Sequence, residues 1–126
     1  MPKKLLIVDD ETEIAEALKM FFTGKGYDAV TANRGKEAID IVKRDEDIDL
    51  IIMDVKMPEM KGVEAFAKMR EAGIEKPVLF LTGSINKSEY IQEVEKFGLD
   101  ESVFLGKPID LNLILEKVEE KLGGKK

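Results

Sequence analysis

Three stretches of the chain are apolar at every position: Leu5-Leu6-Ile7-Val8, Leu50-Ile51-Ile52-Met53 and Val78-Leu79-Phe80-Leu81. They lack the in-and-out alternation of a half-exposed strand and are too short for helices. They therefore predict strands buried on both faces, as when helices cover both sides of a parallel sheet. Two weaker strands fit the remaining gaps: Tyr27–Ala32, β-rich but more polar and so suited to an edge, and Ser102–Leu105 ahead of Gly106.

Between these runs the apolar spacing changes to three and four. Ile14, Ala17, Leu18, Phe21 and Phe22 mark a first helix ending at Gly24, and Ala38, Ile39 and Val42 a second after Gly35. Val63, Phe66, Ala67 and Arg70 mark a third after Gly62. Asn86 and Glu89 form a candidate capping box ahead of a fourth helix with Ile91, Val94 and Phe97. In the fifth, Asp110 is the expected N-cap of a stripe of Leu111, Ile114, Leu115, Val118 and Leu122. Leu113 falls nearly opposite that stripe and is expected to be exposed, either as an isolated surface leucine or as part of a partner contact.

Strict alternation of strand and helix predicts an α/β fold: a doubly wound, five-stranded parallel sheet with right-handed crossovers and five helices. Strand order 2-1-3-4-5 puts the more polar second strand at an edge and opens a crevice between the first and third strands, at their C-terminal ends. Residues 1–122 are expected to form one domain, with 123–126 a flexible tail or linker stub.

Composition narrows the chemistry. The chain has 126 residues with no Cys and no His, which excludes thiolate and imidazole chemistry, disulfides and Cys- or His-ligated metals. Carboxylates, hydroxyls, lysines and hard cations remain. A formal charge of -6 is the wrong sign for gripping a phosphate backbone, so direct nucleic-acid binding is not expected. The N-terminal Met1-Pro2-Lys3-Lys4 leads into only four apolar residues, and no run approaches the roughly 20 of a membrane span. No membrane association is expected, and the expected compartment is the cytoplasm.

Next to the predicted strand ends stand Asp9 and Asp10 after the first, Asp54 after the third, Thr82 after the fourth and Lys107 after the fifth; Ala32 and Asn33 follow the edge strand. In a parallel sheet all these ends share one rim. Taken singly, Asp-Asp reads as a helix cap, Asp54 as a loop residue, Thr82 as a turn hydroxyl and Lys107 as a surface charge. Their joint placement is the informative feature. Three carboxylates at one point need a counter-charge, and an all-oxygen cluster suits Mg²⁺, an ion that shares its shell with phosphate oxygens. Lys107 and Thr82 would then meet other phosphoryl oxygens, and an aspartate can itself accept the phosphoryl group as an acyl phosphate.

The set Leu6-Ile7-Val8-Asp9-Asp10, Asp54-Val55-Lys56-Met57-Pro58 with Gly62 four residues beyond the proline, Leu81-Thr82-Gly83 and Lys107-Pro108 resembles the receiver domain of two-component response regulators, including the single-domain chemotaxis type. The resemblance spans essentially the whole chain and implies the flavodoxin-like receiver fold. It also implies that Asp54 accepts phosphate from a phosphohistidine on a histidine kinase or histidine phosphotransfer protein. Asp10, Asp54 and the backbone carbonyl of Lys56 would bind Mg²⁺, with Asp9 holding it through water. Thr82 and Lys107 would contact the phosphoryl oxygens, and Phe104 matches the family's aromatic switch position, with core packing as its plainer reading. The cis peptide common before the family's proline would here be Lys107-Pro108. Lys56 and Ser84 sit where the family varies its dephosphorylation rate. The implied output is binding: an unidentified partner reads the face of the fourth helix, fifth strand and fifth helix, by a monomer or a phosphorylation-dependent dimer. Two other classes stay open. One is an aspartyl-phosphate phosphatase or mutase, disfavoured by Lys56 where a second acid would stand; the other is a receiver-like module that binds without phosphate.

Overall fold

The computed structural model describes residues 2–83 and 88–123. Along them run β1 (Lys4–Val8), α1 (Thr12–Gly24), β2 (Asp28–Ala32), α2 (Gly35–Arg44), β3 (Leu50–Asp54), α3 (Gly62–Glu71), β4 (Val78–Thr82), α4 (Ser88–Glu95), β5 (Phe104–Gly106) and α5 (Leu111–Lys121). The strands form one sheet in the order β2-β1-β3-β4-β5, every pair parallel, as the alternation predicts.

Strand pleating divides the interior into two cores. Leu5 and Ile7, Leu50 and Ile52, and Leu79 and Leu81 point to one side, where Ala15, Leu18 and Phe22 of α1 and Ile114 and Val118 of α5 cover them. The alternate residues Leu6 and Val8, Ile51 and Met53, and Val78 and Phe80 point to the other side, beneath α2, α3 and α4. This explains why the three central strands read as unbroken apolar runs: each face of each strand meets a helix. A fully buried Leu, Ile or Phe contributes roughly 1.5–3 kcal/mol relative to exposure, so these strands dominate the stability.

Several helix faces differ from the spacing-based expectation, and small residues are the reason. Ala17 is exposed and Ala15 buried; on α3 the buried set is Val63, Ala65, Phe66 and Met69, while Ala67 and Arg70 are only partly covered. A lone alanine pattern fits adjacent faces almost equally well, because its methyl group contributes little to the choice. Arg70 has a different task. Its guanidinium lies 4.5 Å from the Phe66 ring centroid and donates to the carbonyls of Ile74 and Lys76, closing the turn before β4.

The expected strand at Ser102–Leu105 begins later. Asp100 accepts hydrogen bonds from the Ser102 amide at 2.9 Å and its hydroxyl at 2.6 Å, winding Glu101–Val103 into a 3-10 turn, so pairing starts at Phe104. Tyr27 likewise stays outside β2, its amide bonded to the Phe22 carbonyl after the turn at Gly26. Phe97 follows α4 rather than lying in it, yet its ring packs edge-on against Phe66 at 5.5 Å. Asp110 caps α5 as expected, accepting from the Leu113 amide at 3.2 Å, and Leu113 is exposed. Leu111, placed on the buried stripe by its spacing, is 36% exposed: the first turn of α5 overhangs the core and, with Ile109, borders an open apolar groove against Ile14, Ala17 and Leu18 of α1. The expected capping box rests on Asn86, which lies outside the described residues, as do Ser84 and residues 124–126. No helix among the described residues is long and apolar enough to cross a membrane.

Candidate functional site: an acidic rim with one lysine

Register assembles the site. Val8 pairs with Met53 and Asp54 with Leu81, so Asp9 follows β1 at the level where Asp54 ends β3. Thr82 pairs with Gly106, and the Lys107 amide donates to the Thr82 carbonyl at 2.9 Å. The pleat then sorts the side chains. Asp9, Asp54 and Lys107 continue the rows Leu5-Ile7, Leu50-Ile52 and Leu105, on the α1 and α5 side; Thr82 continues the row Val78-Phe80, on the α4 side.

The geometry follows that sorting. The Lys107 ammonium lies 3.3 Å from Asp54 Oδ1 and 3.7 Å from Asp9 Oδ2. Asp9, Asp10 and Asp54 each offer a carboxylate oxygen, all within 4.8 Å of one another. Asp9 and Asp54 are buried and Asp10 is exposed, so the cluster opens outward at Asp10. The peptide between Lys107 and Pro108 is cis, as the resemblance implies.

The two aspartates after β1 do not act as helix caps. The residue before α1 is Glu11, without a side-chain cap, and Asp9 Oδ1 instead accepts from the Glu11 amide at 2.9 Å. Asp9 Oδ2 is buried with no hydrogen-bond partner, its lysine being at ion-pair rather than hydrogen-bond distance. A solvent-excluded carboxylate oxygen left this way costs free energy that a cation would recover. The electrostatics agree. Burial, then the charge of Asp9, push the Asp54 carboxyl up to about 6 against the pull of Lys107. Burial also raises Asp9. For Lys107, burial opposes the ammonium charge but the carboxylates of Asp54 and Asp9 outweigh it, so its pKa rises. An all-oxygen donor set with surplus negative charge and one orphaned oxygen fits a hard divalent ion such as Mg²⁺.

The loop after β3 is folded tightly against the site. The Gly62 amide donates to the Val55 carbonyl at 2.8 Å, and a Cβ at Gly62 would stand 2.2 Å from the Asp54 carbonyl oxygen, so only glycine fits there. Lys56 is exposed within this loop. Glu59 has φ of +72°, an uncommon conformation for a residue with a side chain, and pairs with Arg34 at 3.3 Å. On the other side of the sheet Phe104 is buried, stacked on Phe80 at 5.1 Å and near Tyr90 at 6.4 Å. Its ring therefore packs in the core on the Thr82 side.

Sequence reasoning passed over Asn33 because the end of an edge strand looked peripheral. Its side-chain amide donates to the Asp9 carbonyl at 3.1 Å. The available signal was that a polar residue at the end of β2 shares the rim with every other candidate.

The chain belongs to the response regulator receiver domain family, whose model matches residues 5–119. Members are the phosphorylation-activated switches of two-component signalling. It is 32% identical over 118 residues to the response regulator MprA of Mycolicibacterium vanbaalenii, covering 94% of this chain and 49% of that one. A CheY-like receiver domain protein from Methanospirillum hungatei superposes with a TM-score of 0.87 at 28% identity, over 98% of this chain and 95% of that one. The response regulator TrrA of Thermotoga maritima, solved in complex with Mg²⁺ and BeF, gives 0.78 at 30% identity, over 94% and 97%. The chain spans between about a quarter and a half of the length of the curated relatives it matches.

Proposed function

We propose that Asp54 is the phosphoacceptor of this receiver domain and that Asp9, Asp10, Asp54 and the Lys56 carbonyl hold Mg²⁺, Asp9 through water. The observation that carries this is the meeting of Asp54 and Lys107 at 3.3 Å inside the carboxylate cluster. A Mg²⁺-containing complex of the Thermotoga relative supports the choice of ion. When bound, the ion would neutralise the cluster and draw charge from phosphoryl oxygens.

The chain's own residues do the rest. An ionised Asp54 oxygen attacks phosphorus of a donor phosphohistidine; the P–N bond breaks, its electron pair returns to the imidazole, and an acyl phosphate forms. Lys107, already poised between Asp54 and Asp9, pairs with the added negative charge. The donor is a histidine kinase or histidine phosphotransfer protein. The Thr82 hydroxyl moves onto the phosphoryl group and releases the Phe104 side of the sheet, changing the face of α4, β5 and α5 that an output partner reads. Binding, rather than turnover of a metabolite, is the output.

Intact mass after incubation with Mg²⁺ and a small acyl-phosphate donor tests the assignment, since the chain has no Trp to report by fluorescence. The wild type should gain one hydroxylamine-labile phosphoryl group, and Asp54→Asn none. Uptake that persists in Asp54→Asn removes Asp54 from this role. Thr82→Ala should keep the uptake but lose most of the amide chemical-shift change in α4 and β5; an undiminished change would break the coupling to Thr82.

A further inference from the structure

Both backbone polar groups of Asp9 are tied to the end of β2. Its amide donates to the Ala32 carbonyl at 3.1 Å, and its carbonyl accepts from the Asn33 side-chain amide at 3.1 Å. The carbonyl of Asp9 belongs to the peptide that leads into Asp10, so Asn33 holds the link between two carboxylates of the cluster.

Asn33 is itself well anchored. Its own amide donates to Glu37 Oε1 at 2.9 Å, Arg34 next to it reaches Glu59 in the loop after β3, and Gly35 lies under Met60 of that loop. The turn between β2 and α2 thus touches both loops that carry the candidate ligands. The edge strand, with no candidate ligand of its own, braces the site.

We infer that Asn33 is a positioning residue for the cation site: its side chain fixes the Asp9–Asp10 peptide so that the carboxylates converge before an ion arrives. The inference rests on the Mg²⁺ reading of the cluster. Without this hydrogen bond the Asp9 carbonyl turns to water and the peptide gains rotational freedom, which ion binding must then remove. One net hydrogen bond of this kind corresponds to about a three- to tenfold change in affinity.

Calorimetric titration of the metal-free protein with MgCl₂ tests it, using wild type, Asn33→Ala and Glu37→Ala. Glu37→Ala loosens the same turn by removing the bond to the Asn33 amide while leaving the contact with Asp9. The expected result is a Kd for Mg²⁺ raised about three- to tenfold in Asn33→Ala and within about twofold of wild type in Glu37→Ala, with phosphoryl uptake by Asn33→Ala restored at saturating Mg²⁺. An unchanged Kd in Asn33→Ala overturns the positioning role. Equal weakening in both variants also overturns it, because the effect would then come from the turn as a whole. A wild type that binds no Mg²⁺ overturns the cation reading and this inference with it, an outcome distinct from a wild type that titrates alongside an unaffected Asn33→Ala.

Discussion

The two rims of the sheet carry similar residues and treat them in opposite ways. At the N-terminal rim Lys4 stands among Asp28, Asp45, Asp47 and Asp49; at the C-terminal rim Lys107 stands among Asp9, Asp10 and Asp54. On the first, each contact relieves a charge. The Lys4 ammonium bonds Asp45, the Lys4 amide donates to Asp49 at 2.8 Å, and the Asp47 amide donates to Asp45 at 2.9 Å. The Lys4 and Asp47 partners hold the Asp45 carboxyl below its ordinary range. On the second rim two carboxylates are buried, one oxygen has no hydrogen bond, and Asp54 is pushed up to about 6. An acidic cluster around a lysine is therefore not informative by itself. Burial without enough partners singles out the C-terminal rim as the candidate site, because a charge that folding leaves uncompensated is available to a ligand.

The strongest challenge to this contrast is Gly62→Ala. Its Cβ would overlap the Asp54 carbonyl, so the loop after β3 must move, at a cost of about 3 kcal/mol in unfolding free energy by urea titration. A loss below ~1 kcal/mol would show that the loop is not held tightly against the acidic rim.

Acid should then separate the rims by sign. Around pH 4 to 6 folded Asp54 holds a proton that the unfolded chain, with an ordinary value of 3.8, has released. Stability of the metal-free protein therefore rises as pH falls through about 6, by on the order of 2 kcal/mol. Asp45 works the other way: its contribution is complete above 3.8 and is lost as pH falls through its lower folded value. Unfolding followed in EDTA from pH 7.5 downward should show a maximum between these windows, and Mg²⁺ should shift the advantage back toward pH 7. A steady decline from pH 7 in EDTA would contradict the raised carboxyl.

The smallest effect is expected from Asp45→Asn. Losing the partner of a half-buried lysine at the sheet edge should lower the thermal midpoint slightly and leave the Kd for Mg²⁺ at the wild-type value. Weakened Mg²⁺ binding in that variant would mean that the rims are not independent.

Much of this is legible in the amino-acid sequence. Unbroken apolar runs gave the central strands, alternation with helices gave a parallel sheet and hence the shared rim of Asp9, Asp54, Thr82 and Lys107, and the more polar second strand fitted the edge of the order 2-1-3-4-5. What stayed hidden depended on contacts that spacing does not encode. Ala15 against Ala17 and Ala65 against Ala67 differ by too little apolar area to choose a face. The start of β5 was set by the Asp100 side chain, and Leu111 lay past the edge of the core. Asn33 stands on the same rim in the sequence, but its task stayed hidden because a hydrogen bond between its side chain and the Asp9 carbonyl leaves no periodic trace.

The alternating pleat has a further consequence. Asp54 and Lys107 lie on one side of the sheet, and Thr82 with Phe104 on the other, so the sheet is a partition between two compartments of the same small molecule. Thr82, at the open rim, lies at the passage between them. Residues on the α1 and α5 side can diversify without rewriting the aromatic stack beneath α4, and the reverse.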